Sequence, residues 1–249
     1  MNRQNIDSCK QIIFPFAVNT QMGTDDFMVS DCNKEAWQMV NNLPQWVENG
    51  LFIYGPQGCG KTHLAHIFAD NVKKISVKPA AVAIVDASQV TAAKVKRLAA
   101  ENQAIAVENI GPQNNNEALF HLFNLFNQDG KYMLWTAEYA PQHMHFALAD
   151  LQSRLNMLPA VVIKEPDDMM IRMLTAKLLN DRQIIANQEI LDYITTYAQR
   201  SFSYIRELIE EADAISLRMK MPINHVVIKK AMENIDERID REPDLFGEW

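Results

Sequence analysis

The chain has 249 residues, 48% of them hydrophobic, and 24 basic against 31 acidic side chains leave a net charge of −7. That composition supports a full core in one large domain, or in one domain with a small companion, and excludes a disordered chain. The acidic balance disfavours nucleic-acid binding through bulk charge and leaves only a local basic patch for that purpose. No apolar run is long enough to span a membrane.

The N-terminus lacks a basic region followed by an apolar stretch, so no export signal is expected. The three cysteines, Cys9, Cys32 and Cys59, are odd in number and lack metal spacing, which fits a reducing cytoplasm. Residues 1–20 are not periodic and read as an extended segment. They contain Gln11-Ile12-Ile13-Phe14-Pro15-Phe16. Pro15 restricts the backbone, Gln11 offers an amide for a polar pocket, and Phe14 and Phe16 can fill apolar ones. The competing reading of this peptide is a strand docked on the core.

From Asp31 to Val47 the apolar spacing predicts a helix, kinked or split at Pro44. A buried strand, Gly50 to Tyr54, runs into Gly55-Pro56-Gln57-Gly58-Cys59-Gly60-Lys61-Thr62, and a helical pattern begins at once. Strand, glycine turn and helix N-terminus in that order form an anion cradle, with backbone N–H groups and the helix dipole aimed at one spot. Gly58 and Gly60 let the backbone wrap a phosphate, Lys61 can reach the β- and γ-phosphates, and the Thr62 hydroxyl can ligate Mg²⁺. These residues point to a nucleoside di- or triphosphate. Cys59 reads as a small filler.

Val82–Val85 reads as a second buried strand, residues 88–100 as a helix and Ala104–Val107 as a third strand ending in Glu108-Asn109. Asn114–Gln128 is helical, and Tyr132–Trp135 is a fourth strand ending at Thr136. Phe146–Leu155 is helical and Ala160–Ile163 is a fifth strand. Short apolar strands alternating with helices imply an α/β fold with a parallel sheet covered on both faces. After residue 164 the strands stop, and 167–180, 187–199, 203–219 and 222–235 read as helices with Pro166 and Pro222 as starters. The expected organisation is an α/β nucleotide-binding domain over 21–164, a small all-α lid over 165–235 and a charged tail over 236–249.

Four positions outside the loop carry candidate chemistry. Glu108 can hold the water shell of Mg²⁺, although a carboxylate there can also simply end the strand, and Asn109 is a poor general base because it is uncharged. A hydroxyl at Thr136 can hydrogen-bond a γ-phosphate or its water, or be an ordinary strand-end threonine. Arg154 sits near a helix end and reads, on physics alone, as a solvated cation. Arg206 follows Ser203, read as an N-cap, and would stand in the first turn against the helix dipole, a placement that suggests an anionic partner.

These pieces together resemble the DnaA branch of the AAA+ ATPases. Gly60-Lys61-Thr62-His63-Leu64-Ala65-His66 looks like that branch's extended phosphate-loop signature, and Phe27 to Asn33, followed by Ala36, is similar to its segment before the first helix. The resemblance implies a five-stranded parallel sheet with a helical lid. It implies Phe27 and His63 beside the loop in the nucleotide set, with Thr136 as first sensor, Arg154 as arginine finger and Arg206 as second sensor. We expect no DNA-binding domain after the lid and no interaction domain before the core, which makes the chain similar to the short DnaA homologues of the Hda group that inactivate DnaA. Members of that group carry a Q-x-x-L-P-L peptide for the DNA polymerase III sliding clamp (its β subunit), and Gln11–Phe16 is similar, with Phe14 and Phe16 in place of the leucines. The resemblance thus implies ADP or ATP with Mg²⁺, and DnaA and the clamp as partners. It is compatible with a homo-oligomer, with DNA contact indirect or weak and no membrane contact. Glu108-Asn109, where the branch has Asp and commonly a second acid, implies weak intrinsic hydrolysis. The competing reading is a helicase-loader-like AAA+ ATPase that binds single-stranded DNA, which would call for a basic, aromatic-bearing groove.

Overall fold

The computed structural model describes residues 27–46, 49–185 and 187–241, and the peptide Gln11–Phe16 lies outside them. Strands β1 (Gly50–Tyr54), β2 (Val82–Asp86), β3 (Ala104–Glu108), β4 (Tyr132–Ala137) and β5 (Ala160–Val162) form one parallel sheet in the order β2-β3-β4-β1-β5. Strands β1 to β4 alternate their side chains between two cores, as the two-residue period of a strand requires, while β5, at the edge, contributes Val161 to one of them. On one face Leu51, Ile53, Ala104, Ala106 and Leu134 meet α1 (Lys34–Asn41) and α2 (Lys61–Ile75). Ala104 and Ala106 on β3 leave room for the bulky buried face of α2, Leu64, Ile67 and Phe68. On the other face Phe52, Ile105, Val107, Met133 and Trp135 pack under α3 (Ala92–Glu101), α4 (Asn116–Gln128) and α5 (Ala149–Met157). Phe52, Phe68 and Trp135 are fully buried, and each such side chain contributes about 1.5–3 kcal/mol by leaving water.

The all-α part consists of α6 (Asp168–Asp181), α7 (Gln188–Tyr197), α8 (Phe202–Met219) and α9 (His225–Arg241). Its apolar stripes continue the core that covers the α2 face of the sheet. Among the described residues, no helix is long and apolar enough to cross a membrane.

Several boundaries differ from the sequence expectation. Strand β2 is half-buried throughout rather than buried, because it lies at the sheet edge. The helix expected over 88–100 is preceded by a short 3₁₀ turn, Ala87–Gln89, where the Asp86 carboxylate accepts from the Ser88 N–H, and the α-helix starts at Ala92. Helix α1 ends at Asn41, ahead of Pro44, and α5 starts at Ala149 rather than Phe146, whose N–H donates to Gln152 Oε1. Pro166 and Pro222 stand outside their helices. The caps are Asp167, accepting from Met170 N–H, and Asn224, accepting from the Val226 and Val227 N–H groups. Helix α9 runs past residue 235 to Arg241.

Candidate functional site

The loop after β1 is fixed at its root on both sides. The Gly55 N–H donates to the Ala137 carbonyl at 3.3 Å, and the Ile163 N–H donates to the Tyr54 carbonyl at 2.7 Å. A side chain at Gly55 would drive a Cβ to 2.4 Å from the Ile163 carbonyl oxygen, so the strand-to-loop exit is closed to any other residue. Further along, Gly58 (φ 77°) and Gly60 (φ 100°) adopt left-handed backbone, which costs an L-residue roughly 1–3 kcal/mol. Gly60 is the N-cap of α2, so the first free N–H groups of that helix open on the concave side of the loop.

The Lys61 ammonium lies across this loop and donates to the carbonyls of Gly55 at 2.6 Å and Pro56 at 2.9 Å. Cys59 is buried below it, and burial, opposed by the nearby Lys61 charge, pushes the thiol up, so it stays neutral and packs as the filler expected. Thr62 is exposed at the start of α2. Arg206 approaches from the lid, its Nε 3.8 Å from where a Gly58 Cβ would stand. Two cations from distant parts of the sequence therefore converge on one glycine turn. The cap of α8 is Ser201, whose hydroxyl accepts from Tyr204 N–H, and not Ser203. Arg206 consequently belongs to the second turn, where opposition to the helix dipole is weaker, and its position over the loop is the stronger reason to expect an anionic partner.

Beside the loop is a pocket of about 110 Å³ with a mixed lining: Phe27 and Met28 stand on one side and Met170, Leu174, Leu178 and Phe202 of the helical part on the other, and Asn33, His63, Lys177, Asp181 and Arg206 add polar groups. The Phe27 ring lies over Gly60, 3.1 Å from a Cβ there, and edge-on to His63 at 5.2 Å between centroids. Loop, Lys61, Arg206, Phe27 and His63 are thus brought together. On the other side of Lys61 a cleft of about 390 Å³ is lined by Gln57, Asn109, Gln113, Glu138 and Tyr139.

Thr136 is fully buried, and its hydroxyl has no hydrogen-bond partner. It follows Leu134 by two residues, which puts it on the α2 face of β4 at the strand's carboxyl end. Thr136 is in register with Ile53 of β1, two residues before the loop begins, and it lines neither cavity, so its orphaned hydroxyl is a candidate for a phosphate-bearing ligand by strand position alone. Glu108 ends β3 half-buried, in register with Asp86. Its carboxylate and the Thr62 hydroxyl are the all-oxygen donors that Mg²⁺ accepts alongside phosphate. Asn109 takes a left-handed backbone (φ 56°), and its amide donates to Asp86 at 2.8 Å. Arg154 is exposed on α5, has no ion-pair partner among the described residues, and lines neither cavity.

Asp86 is a residue that sequence reasoning passed over, though a carboxylate ending a strand two residues before a serine was a readable signal. Hydrogen bonds from Ser88, helped by Asn109 and opposed by partial burial, hold its carboxyl below the ordinary value. A depressed folded value means that Asp86 supports the fold above the ordinary carboxylate range and that this support is lost as pH falls through it, below about pH 4. Urea midpoints followed from pH 6 downward should therefore show a shallower acid decline for Asp86→Asn than for wild type. Equal slopes would remove Asp86 from the acid limb.

The family model described as the bacterial DnaA ATPase domain matches residues 18–161. The chain belongs to the bacterial DnaA ATPase-domain family. It is 23% identical over 238 residues to the chromosomal replication initiator protein DnaA of Clavibacter sepedonicus, covering 88% of this chain and 49% of that protein. It is 26% identical over 250 residues to DnaA of Flavobacterium psychrophilum, covering 90% and 51%. The chain thus spans about half the length of these curated relatives. Domain III of Thermotoga maritima DnaA superposes with a TM-score of 0.74 at 18% identity, over 88% of this chain and 98% of that one. AMPPCP-bound DnaA from Aquifex aeolicus superposes with a TM-score of 0.65 at 20% identity, over 90% and 70%. The fold is an AAA+ fold like that of DnaA domain III, with the five-stranded parallel sheet expected from the sequence.

Proposed function

We propose that this member of the DnaA ATPase-domain family holds an adenine nucleotide, ADP or ATP, between the 55–62 loop and the lid, and acts in that state as a regulatory inactivator of DnaA. The observation that carries the nucleotide reading is the joining of two unlike surfaces. A glycine turn flanked by Lys61 and Arg206 suits a di- or triphosphate, and it opens directly on the pocket between Phe27 and α6, where apolar walls for the faces of a base stand beside polar groups (Asn33, Lys177, Asp181) for its edge. Pro56, Gln57, Cys59 and His63 shape the same cradle. Thr62 and Glu108 would hold Mg²⁺, which when bound neutralises phosphate charge, and the Thr136 hydroxyl would bond the terminal phosphate or its water. The chain's own hydrolysis is expected to be weak. Asn109 carries no charge with which to activate water, and its amide is engaged by Asp86.

Arg154 would act in trans on ATP bound to DnaA. Its exposure and lack of an ion pair among the described residues support that role. Docking would occur in the cytoplasm on the DNA-loaded sliding clamp through Gln11–Phe16, a step supported by the sequence pattern. The test is phosphate release from DnaA–ATP in the presence of clamp and DNA. At limiting protein, Gln11→Ala should lower stimulation about tenfold, the loss expected for one well-placed polar contact, with ADP affinity unchanged. Equal stimulation by the two proteins would rule out the clamp peptide.

A further inference from the structure

We propose that Asp167 is a positioning residue that ties together the two walls of the nucleotide pocket, an inference that rests on the nucleotide reading above. Asp167 immediately precedes α6, and its Oδ1 accepts from the Met170 N–H at 2.8 Å, which is the helix cap. Its Oδ2 accepts from the Cys32 N–H at 3.0 Å, across 135 positions of sequence. The Cys32 carbonyl in turn accepts from the Lys164 N–H at 3.0 Å. Residue 32 is therefore held at both its backbone groups by the short segment that leads from β5 into the lid.

The two elements joined in this way are the opposing walls. Phe27, Met28 and Asn33 line one side of the pocket, and Met170, Leu174, Lys177 and Leu178 of α6 line the other. The turn between Met28 and Asn33 has its own frame. The Ser30 N–H donates to Asn33 Oδ1 and Asn33 Nδ2 donates to the Met28 carbonyl, both at 2.9 Å. Asn33 is 2% exposed, so this frame has no competing water. A displacement of Cys32 is thereby passed on to Met28 and Phe27. Capping α6 needs one acceptor, which Ser, Thr or Asn supply as well as Asp. Spanning cap and opposite wall needs two acceptors on one rigid group, which a carboxylate has and a hydroxyl at that reach has not.

The choice between cap and tie is therefore open to substitution. Asp167→Ser retains a good cap and removes the reach to Cys32, and Asp167→Ala removes both. Calorimetric titration of the full chain with ADP and, separately, with pyrophosphate reads the base wall and the phosphate loop independently. In Asp167→Ser, ADP affinity should fall about tenfold, the worth of one charge-assisted hydrogen bond, while pyrophosphate affinity stays within about twofold of wild type. Amide exchange over residues 27–33 should rise in the same variant. Wild-type ADP affinity in Asp167→Ser would overturn the tie, as would a parallel loss of ADP and pyrophosphate. If wild type itself binds pyrophosphate and not ADP, the nucleotide reading falls and the tie falls with it. Should the serine variant fail to fold, Asp167→Asn, which keeps a capping oxygen and turns a donor toward Cys32, is read by the same pair of ligands.

Discussion

Arg154→Ala should reduce stimulation of hydrolysis by DnaA–ATP by about a thousandfold or more while leaving the chain's own nucleotide affinity unchanged. The size follows from what an arginine supplied in trans does. It meets charge that develops only in the transition state, in a site from which water is excluded. The separation of the two effects follows from geometry. Arg154 lines neither the pocket beside Phe27 nor the cleft beside Lys61, so its loss leaves the cradle intact. Its helix is anchored from below by Leu151 and Leu155, both fully buried, so the guanidinium projects from a fixed base. Arg154→Lys should rescue little, because an ammonium lacks the planar fork that bonds two phosphate oxygens at once. Single-turnover phosphate release with clamp, DNA and DnaA–ATP is the measurement, and equal rates for wild type and Arg154→Ala would refute the finger assignment.

Lys61→Ala should weaken nucleotide binding about a hundredfold or more, which corresponds to about 2.7 kcal/mol. Two losses add. One is the charge that would face the phosphates of a bound nucleotide, and a hydrogen bond to a charged group is worth about 1.5–3 kcal/mol. The other is the shape of the loop, because the ammonium bridges the Gly55 and Pro56 carbonyls. Lys61→Arg is not conservative here. A wide, planar group cannot replace a compact ammonium seated between two carbonyls of a tight turn. Equilibrium dialysis with labelled ADP measures the change, and a variant that retains ADP within a few-fold of wild type would remove Lys61 from the site.

The parts of this fold that sequence displayed most openly were those governed by local periodicity. Four-residue apolar runs marked β1, β3 and β4, and the glycine–lysine–threonine turn declared the loop without help from the rest of the chain. The edge character of β2 was hidden, because Val82-Ala83-Ile84-Val85 is as apolar as a central strand and only the sheet order reveals the missing neighbour. Capping was partly hidden for a related reason. Ser201 and Ser203 are both good caps, and the fold uses Ser201, with Phe202 as the first helical residue and buried in the core. The lid side of the pocket was invisible, since Lys177 and Asp181 look like a solvated helix face until α6 is laid against Phe27. Asp167 shares that limit, because it bonds Cys32 across 135 positions and no periodicity encodes such a pair, whereas for Asp86 only the bond from Asn109 was hidden and the local one from Ser88 was readable.

The hydrogen bonds that fasten the root of the glycine loop to Ala137 and Ile163 bear on how a ligand is captured. A floor already pinned to its neighbouring strands has little backbone freedom left to surrender when an anion arrives. The entropy lost on binding then falls mainly on the side chains overhead, Phe27, Arg206 and the α6 stripe. On the proposed nucleotide reading, recognition of the phosphates would be rigid and that of the base adjustable, and the dwell time of the ligand would be governed by the roof of its chamber and hardly by the floor.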